Sequence, residues 1–345
     1  MAGPGESPGR APARRMKASM IPELNENKVA SRWSHLRESE VVDHETRRTV
    51  TQQDNSWLTL LTLNTAPHFD ITTSNFERMG GVLMNSCVTL GVIQGFCLPD
   101  FGLDLLPNRG FGEIRMTSPT FADDTLRGQS EVLKIEQRDG DIRSVHVRHR
   151  GFKQSGEKVV EFDRHWEGGT GGVWVKEAKR RRQAAPRLDP GRAFATAKDG
   201  PLFSDFQPGQ RFSHGVGRTI STDESIWISL LHLNTNPHYI DVDYARGVGE
   251  KSVVVDDTFV LSTVTGIGVK HTTQNAIANL GWKNVIFHTP VIGGDTLFSE
   301  TEVVDKRLSK SRPGEGIVSV RTTGRNQRNE VVLTFDRAFL FDATI

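Results

Sequence analysis

The sequence has few of the residues that would place it in a specialised class of protein. It contains two cysteines in 345 residues, and both Cys87 and Cys97 lie in one apolar stretch, so small buried side chains are expected and no disulfide framework is implied. The formal net charge is only +1, which leaves no overall field to attract nucleic acid or an acidic membrane. An anionic ligand would have to be bound by a local cluster of Lys and Arg.

Long hydrophobic runs are also missing. The first residues, MAGPGESPGRAPARRMK, are rich in Gly, Pro and Arg and lack the apolar core of a secretory signal. We therefore expect residues 1–28 to form a disordered tail. The longest apolar stretches, such as VVVDDTFVLSTVTGI, are too short and too polar to span a membrane. These features favour a cytoplasmic enzyme over a secreted or membrane protein.

What the sequence does have is an internal repeat. Residues 48–68 match residues 218–238 without a gap, and ten of the 21 positions are identical. The match resumes at an offset of 171, which pairs Gly95 with Gly266, and it ends with EVVLTFDR over EKVVEFDR. Self-similarity at a nearly constant offset indicates two copies of one fold. The predicted organisation is an N-terminal repeat over 29–166, a surface linker over 167–205 and a C-terminal repeat over 206–345.

Each copy has the same order of local patterns. A short strand at RTV or RTI precedes an amphipathic helical turn, in which Trp57 and Trp227 hold equivalent positions. An Asn-Thr-x-Pro-His turn follows, because proline disfavours helix at the preceding residue, and then comes an apolar stretch that fits a buried helix. The last third alternates, as in RSVHVRHRGF and GIVSVRTTGR, with the period of half-buried antiparallel strands. This order predicts an α+β fold, a sheet wrapped around a central helix, which is the hotdog layout doubled in one chain.

The two repeated turns, LNTAPHF and LNTNPHY, carry the residues best suited to chemistry. Histidine titrates near neutral pH and can take a proton from water, while a neighbouring amide or carboxyl group can hold that water in place. The alternative is a structural turn, in which Asn caps the backbone, Pro ends the preceding helix and His packs at a domain seam. A duplicated structural turn would also be repeated, so both interpretations stay open.

The second copy resembles a known family. LNTNPHYIDVDYA looks like the signature of the MaoC-like, (R)-specific enoyl-CoA hydratases, Asp-x-Asn-Pro-x-His followed by an acidic residue and then Tyr-Ala. The segments NAIANLGW, PVIGGDTL and GIVSVRTTGRNQRNEVV resemble more narrowly the mesaconyl-CoA hydratases, also called β-methylmalyl-CoA dehydratases. Those are double-hotdog proteins of similar length. The resemblance covers most of 215–341 and reaches the first half only through the repeat.

The resemblance implies a hydro-lyase that adds or removes water at the 2,3-double bond of an enoyl-CoA thioester. Coenzyme A is part of the substrate, so no cofactor is implied, and family habit favours a homodimer. Backbone N–H groups at the start of the central helix could bind the thioester oxygen, where negative charge builds during the reaction. An acyl-CoA thioesterase and a non-catalytic acyl-CoA-binding protein are the alternatives.

Two positions depart from the family pattern. Asn234 stands where the pattern has Asp, and Tyr239 stands where it has His, with His238 immediately before it. An amide cannot donate a carboxylic proton, so either the loop shifts to re-aim the histidine or the acid comes from elsewhere. We assign His238 as base or acid and Asn234 as the group that orients water. Asp241 is a candidate for the missing acid, while Asp256 is more typical of a helix N-cap.

Further residues are candidates for substrate binding. Tyr239 and Asp257 are assigned to the acyl-CoA site, although Asp257 is also a good helix-capping type. The diphosphate and 3′-phosphate of coenzyme A need basic side chains, and Arg321, Arg325 and Arg328 on the predicted strands are the candidates. The alternative is that these arginines simply face solvent.

The first copy holds a second candidate site. Asn64 and His68 repeat the turn, but the second copy has the fuller motif and is favoured as the active one. His146 and His149 are spaced like outward-facing strand residues, and no cluster suited to a metal is evident.

Overall fold

The computed structural model describes residues 36–68, 70, 80–101, 110–138, 141–167, 200–247 and 249–344. The predicted tail over 1–28 and most of the predicted linker over 167–205 lie outside these residues. The exact boundaries of the two repeats therefore stay predictions.

In the part of the first copy that the structure describes, two helices combine with five strands. In chain order these are β1 (Val41–Thr49), α1 (Gln52–Leu61), α2 (Ser86–Phe101), β2 (Gly110–Met116), β3 (Thr125–Arg138), β4 (Asp141–Phe152) and β5 (Lys158–Glu167).

The second copy follows the same order, and two short helices follow its repeated turn; the corresponding residues of the first copy, 69 and 71–79, lie outside the described ranges. The elements of the second copy are a 3₁₀ turn (Phe203–Asp205), β6 (Arg211–Ser213), β7 (Arg218–Thr219), α3 (Thr222–Leu231), α4 (Pro237–Ile240), α5 (Val242–Gly247), α6 (Asp257–Thr272), β8 (Ala278–Phe287), β9 (Thr296–Leu308), β10 (Glu315–Asn326) and β11 (Val331–Asp342).

All of these strands belong to one antiparallel sheet. Its order is β1-β3-β4-β5-β2-β8-β11-β10-β9-β6, and β7 pairs with β9. The two copies meet where β2 pairs with β8, with Gly110 opposite Ile286 and Arg115 opposite Gly281. Helix α2 packs on β3 and β4, α6 packs on β9, and the two helices also contact each other. The predicted α+β architecture, a sheet around a central helix built twice, is confirmed.

Helices α1 and α3 begin and end in the same way, which explains why the repeated turns have the same shape. Each starts with a capping box, Thr51 with Asp54 in α1 and Ser221 with Glu224 in α3. Two residues past each helix, Leu63 and Leu233 adopt left-handed backbone conformations with φ of 56° and 59°. This conformation is uncommon for a branched side chain, and it redirects the chain into the Asn-Thr-x-Pro-His turn.

A glycine in each central helix lets the residue before the opposite turn approach closely. A Cβ atom on Gly95 of α2 would lie 1.7 Å from the carbonyl oxygen of His232, and one on Gly266 of α6 would lie 2.1 Å from that of Thr62. Neither position can hold a side chain without movement of the backbone. Each repeated turn is therefore held against the central helix of the other copy, and both candidate sites lie at the seam between the copies.

Candidate active site

The asparagine that opens each turn folds the local backbone. Asn64 Oδ1 accepts a hydrogen bond from the Ala66 N–H at 2.9 Å, and Asn234 Oδ1 accepts one from the Asn236 N–H at 3.1 Å. These are the local contacts that the structural interpretation of the turn predicts. These contacts use only the amide oxygen, so the amide nitrogen of each asparagine is available to donate a further hydrogen bond.

In the second copy that amide nitrogen joins a buried network. Asn234 Nδ2 donates to Asp256 Oδ2 at 2.5 Å, and Asp256 Oδ1 caps α6 by accepting from the N–H groups of Thr258 at 2.8 Å and Phe259 at 3.3 Å. Burial opposes ionisation of Asp256, but hydrogen bonding and the charge of His232, with further hydrogen bonds from Thr258 and Asn234, lower its pKa to about 2. The helix-cap role predicted for Asp256 is confirmed.

Asp257, one residue further on, pairs with an arginine from the first copy. Arg164 on β5 donates from Nη2 to Asp257 Oδ2 at 2.8 Å, and its guanidinium carbon lies 4.1 Å from the centre of the Phe111 ring. Arg164 is 1% exposed. Burial raises the pKa of Asp257 to about 6, against the opposing effect of Arg164, so the carboxylate is charged at neutral pH and the ion pair is formed.

Sequence reasoning missed Arg164. The signal that could have found it is the repeated Phe-Asp-Arg at the end of each copy, at 162–164 and 335–337, because a charged residue kept next to inward-facing aromatic residues on a strand has a partner to meet.

The two residues after the proline of the second turn take different environments. Tyr239 is fully buried, and within the described chain its hydroxyl group has no hydrogen-bond partner. Burial, together with the charges of Asp257 and Asp256, raises the pKa of Tyr239 well above its usual range. His238 packs against Tyr244 instead, with Nε2 at 3.4 Å from the tyrosine hydroxyl. The family's histidine position is thus occupied by a buried tyrosine beside the acidic pair.

As it stands, the second turn is closed. His238 and Asn234 are each 1% exposed, and Asp257 is occupied by Arg164. Asp241 is exposed, and its Oδ1 accepts from the Tyr244 N–H at 2.9 Å, which caps α5. The catalytic roles assigned to His238, Asn234 and Asp241 stay predictions.

The three arginines assigned to coenzyme A phosphates already have carboxylate partners. Arg321 is exposed and pairs with Asp336 at 2.8 Å, and Arg328 pairs with Asp295 at 2.9 Å. Arg325 is only 6% exposed and lies 3.1 Å from Glu300. Any phosphate would have to compete with these pairs, and the phosphate-binding role stays a prediction.

The first turn, in contrast, borders an open cleft. The cleft encloses about 770 Å³, part of which is open to solvent. One wall comes from the first copy, that is, the turn and the start of α2; the other comes from the second copy, that is, α6, the residues after it, β8 and β11. The polar side chains that line it are Asn64, His68, Asn85, Ser86, Cys87, Ser262, Thr265, Thr273, Gln274, Asn279 and Arg337.

His68 is held in this cleft as a neutral imidazole. Its Nδ1 lies 2.7 Å from the carbonyl oxygen of Leu83, and because a carbonyl can only accept, Nδ1 carries the proton and Nε2 the lone pair. Burial lowers the pKa of His68, and the positive charge of Arg337 lowers it further. A neutral imidazole with a lone pair beside an open cleft has the state required of a general base.

A separate buried cluster was not foreseen from the sequence. The metal-ligating atoms of His44, Cys97 and His149 lie within 4.8 Å of one another. The prediction that His149 faces outward is wrong, since it is fully buried; side chains three residues apart on a strand point to opposite faces, so His146 and His149 cannot both face out.

Hydrogen bonds show how this cluster is organised. Ser130 Oγ lies 2.6 Å from His44 Nε2 and 2.6 Å from His149 Nδ1, and Trp166 Nε1 donates to His149 Nε2 at 3.3 Å. Because the indole N–H must donate, His149 Nε2 accepts and the neutral ring carries its proton on Nδ1. In this state the cluster is a closed hydrogen-bond network.

Among the described helices, none is long and apolar enough to cross a membrane.

Comparison with known proteins identifies relatives of the second copy. Residues 189–342 match the family model for mesaconyl-CoA hydratase. The mesaconyl-CoA hydratase of Cereibacter sphaeroides is 33% identical over 138 residues, which is 40% of this chain and 40% of that protein. The β-methylmalyl-CoA dehydratase of Chloroflexus aurantiacus is 32% identical over 143 residues, 41% of this chain and 40% of that protein. The matched region thus spans about 40% of the length of these curated relatives.

Solved structures extend the likeness to both copies. A MaoC domain protein from Chloroflexus aurantiacus superposes with a TM-score of 0.74 at 21% identity and covers 89% of this chain and 95% of its own. A protein from Mycobacterium tuberculosis, described as a double hotdog, gives a TM-score of 0.69 at 16% identity over 88% of this chain and 96% of its own. At such identities these likenesses establish the fold, and the resemblance noted in the sequence is confirmed.

Proposed function

We propose that the chain is an acyl-CoA hydratase or dehydratase, because residues 189–342 match the mesaconyl-CoA hydratase family model and the chain has a double-hotdog fold. It would add or remove water at the 2,3-double bond of an enoyl-CoA thioester, with mesaconyl-CoA and β-methylmalyl-CoA as the first candidates. The observation that carries the proposal is the family match over residues 189–342, since this region supplies one wall of the open cleft, opposite the turn with His68.

The chemistry of hydration defines what the cleft must supply. The oxygen of water bonds to the β-carbon, one proton of that water is delivered to the α-carbon, and negative charge builds transiently on the thioester oxygen. In our proposal His68 Nε2 takes the proton from water and the same imidazolium then gives it to the α-carbon. The His68 imidazole takes up one proton and returns it, so it serves as both base and acid. A chain with Asn in place of the family's Asp therefore needs no carboxylic acid in this cleft.

Two further features support this arrangement. The start of α2 lines the cleft at Asn85, Ser86 and Cys87, and the partial positive charge of a helix N-terminus favours the developing oxyanion. Asn64 lines the same cleft, and because its Oδ1 is used by the backbone, its Nδ2 is the end that would donate to the attacking water.

The second turn is the alternative site, favoured by its fuller motif. There His238 would act as base or acid, Asn234 would orient water and Asp241 would supply the second proton, with Tyr239 and Asp257 contacting the substrate. That arrangement requires the closed interior around His238 to open. Arg321, Arg325 and Arg328 would bind the phosphates of coenzyme A.

We also propose that the enzyme is a cytoplasmic homodimer that needs no cofactor beyond the coenzyme A of its substrate. Leu60 of α1 and Trp227 and Leu230 of α3 leave apolar side chains 56%, 38% and 48% exposed, which supports self-association through this face. Light scattering should report a dimer for the wild type and a monomer for Leu230→Lys. Activity that survives dialysis against EDTA would agree with the absence of a metal cofactor, and cell fractionation tests the compartment.

The decisive assay follows enoyl absorbance in the ultraviolet with crotonyl-CoA, mesaconyl-CoA and a longer 2-enoyl-CoA. Wild type is compared with His68→Ala and His238→Ala. We expect hydration that falls about 10²- to 10⁴-fold in His68→Ala, the usual contribution of a general acid or base, and that changes little in His238→Ala. The opposite pattern would assign the chemistry to the second turn.

Two outcomes would replace the proposed function. Release of free thiol would identify a thioesterase, and saturable binding of every ester without turnover would identify an acyl-CoA-binding protein. An inert protein that does not bind coenzyme A esters would refute the proposal entirely.

A further inference from the structure

Arg337 in the open cleft is the repeat counterpart of Arg164. Both arginines close the Phe-Asp-Arg segment at the end of their copy, both are next to an aromatic ring, Trp282 at 5.6 Å and Phe111 at 4.1 Å, and both reach the candidate site of the other copy. The two arginines are therefore equivalent in position, and they differ in the side chains that surround the guanidinium group.

The difference lies in two residues of the central helices. Arg164 is neutralised by Asp257 at 2.8 Å and also reaches Gln94 Oε1 at 3.4 Å. At the offset of 171, the residue equivalent to Asp257 is Ser86 and the residue equivalent to Gln94 is Thr265. A carboxylate and a long amide have thus been replaced by two short hydroxyl residues, and both of these line the cleft.

Arg337 consequently keeps its charge without a protein carboxylate. Within the described chain no ion pair to Arg337 is formed, and its Nε donates to the neutral Asn279 Oδ1 at 3.0 Å. Burial lowers the pKa of its guanidinium to about 10, so it is still a cation at neutral pH. A buried cation without a counter-charge is costly unless an anion joins it.

Four other polar groups of the same cleft have no hydrogen-bond partner among the described residues. Asn279 Nδ2, Trp282 Nε1 and the hydroxyl groups of Thr265 and Thr273 are buried, and none of them has a hydrogen-bond partner in the part of the chain that the structure describes. All four residues line the cleft. Trp282 is 1% exposed, Thr273 5% and Thr265 7%. Buried polar groups in native proteins are normally satisfied, so this set indicates a ligand rich in acceptor oxygens.

We propose that Arg337, with Asn279 and Trp282, binds a carboxylate carried by the acyl group of the substrate. The indole and guanidinium groups can only donate, and the guanidinium matches the two oxygens of a carboxylate. Ser86 is what makes the site available, because an aspartate there would neutralise Arg337 as Asp257 neutralises Arg164. That the carboxylate belongs to an acyl-CoA ester rests on the proposed function, whereas the binding of a carboxylate by Arg337 does not.

The test uses two esters that differ at one group, fumaryl-CoA, which ends in a carboxylate, and crotonyl-CoA, which ends in a methyl group. Their affinities for the full chain are measured by calorimetry in wild type, Ser86→Asp and the uncharged, isosteric Ser86→Asn. A negative residue in the first turn of a helix is favourable, so Ser86→Asp should fold, which circular dichroism checks.

We expect wild type to bind fumaryl-CoA at least about tenfold more tightly than crotonyl-CoA, as a charge-assisted hydrogen-bonded pair allows. Ser86→Asp should abolish this preference, and Ser86→Asn should keep most of it. A wild type without preference, or a preference that survives Ser86→Asp, would overturn the proposal. A third outcome would also overturn the proposal: inorganic phosphate competes with both esters equally, and this competition is lost in Arg337→Gln. The arginine would then bind a phosphate of coenzyme A and not the carboxylate of the acyl group.

Failure of the proposed function can be told apart from failure of this inference. If neither ester binds, titration with free succinate decides. Succinate binding that is lost in Ser86→Asp would retain the carboxylate site and discard the acyl-CoA function, whereas no succinate binding in wild type would discard both.

Discussion

Replacing Asp257 with serine should destabilise the protein more than any comparable surface change. The substitution gives the second copy the residue that the first copy has at position 86. It removes the carboxylate 2.8 Å from Arg164 Nη2 and leaves the arginine in place. Since Arg164 is 1% exposed, its charge would stay in the interior without a counter-charge, which is the costly way to break a buried ion pair.

The structure sets the size of the effect. After the substitution Arg164 keeps a long hydrogen bond to Gln94 at 3.4 Å and ring contacts with Phe111 at 4.1 Å and Trp166 at 4.9 Å. None of these supplies a negative charge, and within the described residues Arg164 Nε already has no partner. We therefore expect the free energy of unfolding to fall by about 3–5 kcal/mol, the range for removing one partner of a buried pair.

Urea unfolding followed by circular dichroism measures this loss. With a slope of about 3 kcal/mol per molar, the midpoint should fall by about 1 M or more. The matched control is Glu113→Gln, which removes ion pairs with Arg115 and Lys283. These side chains are 57% and 67% exposed and that of Glu113 is 30% exposed, so the change should cost about 1 kcal/mol or less. Equal losses in the two variants would refute the reasoning, because they would mean that the charge of Arg164 is solvated. Arg164→Met combined with Asp257→Leu should recover most of the stability.

Three other predictions concern the seam, the base and the buried cluster. Gly95→Ala should lower the free energy of unfolding by about 1–3 kcal/mol or more, because its Cβ would lie 1.7 Å from the His232 carbonyl oxygen. Thermal melting measures the loss, and the control Gly112→Ala, whose Cβ would have its nearest contact at 3.3 Å, should change the melting temperature little. Because burial lowers the pKa of His68, hydration should stay constant as pH falls through 6.5 and decline only below it; a decline centred at or above pH 6.5 would exclude His68 as the base. Ser130→Ala leaves two buried imidazole nitrogens without their partner and should lower the free energy of unfolding by about 1–3 kcal/mol per unsatisfied group. Denaturant unfolding measures the loss, and Ser130→Thr, which keeps a hydroxyl group, is the control that should lose less.

The sequence alone determined the doubled fold. The alternation of the late strands and the apolar stretches that became α2 and α6 are local patterns, and local patterns report secondary structure and its order. The nearly constant offset at which these patterns recur reports the duplication. The capping role of Asp256 was predictable for the same reason, since a cap acts on the N–H groups of the next few residues. The resemblance that the motif in the second copy indicated is confirmed by the family match over residues 189–342, and it was readable from the sequence because such motifs are contiguous.

Only the tertiary structure decided which repeated turn meets an open cleft. The arginine at each turn comes from the other copy, Arg164 to the second turn and Arg337 to the first, and no contiguous pattern records that crossing. The same holds for His149, whose direction depends on which face of β4 is packed against the core. Two turns of nearly identical sequence differ in burial and in charge pairing, because both depend on what packs against the turn, which is a property of the fold and not of the segment.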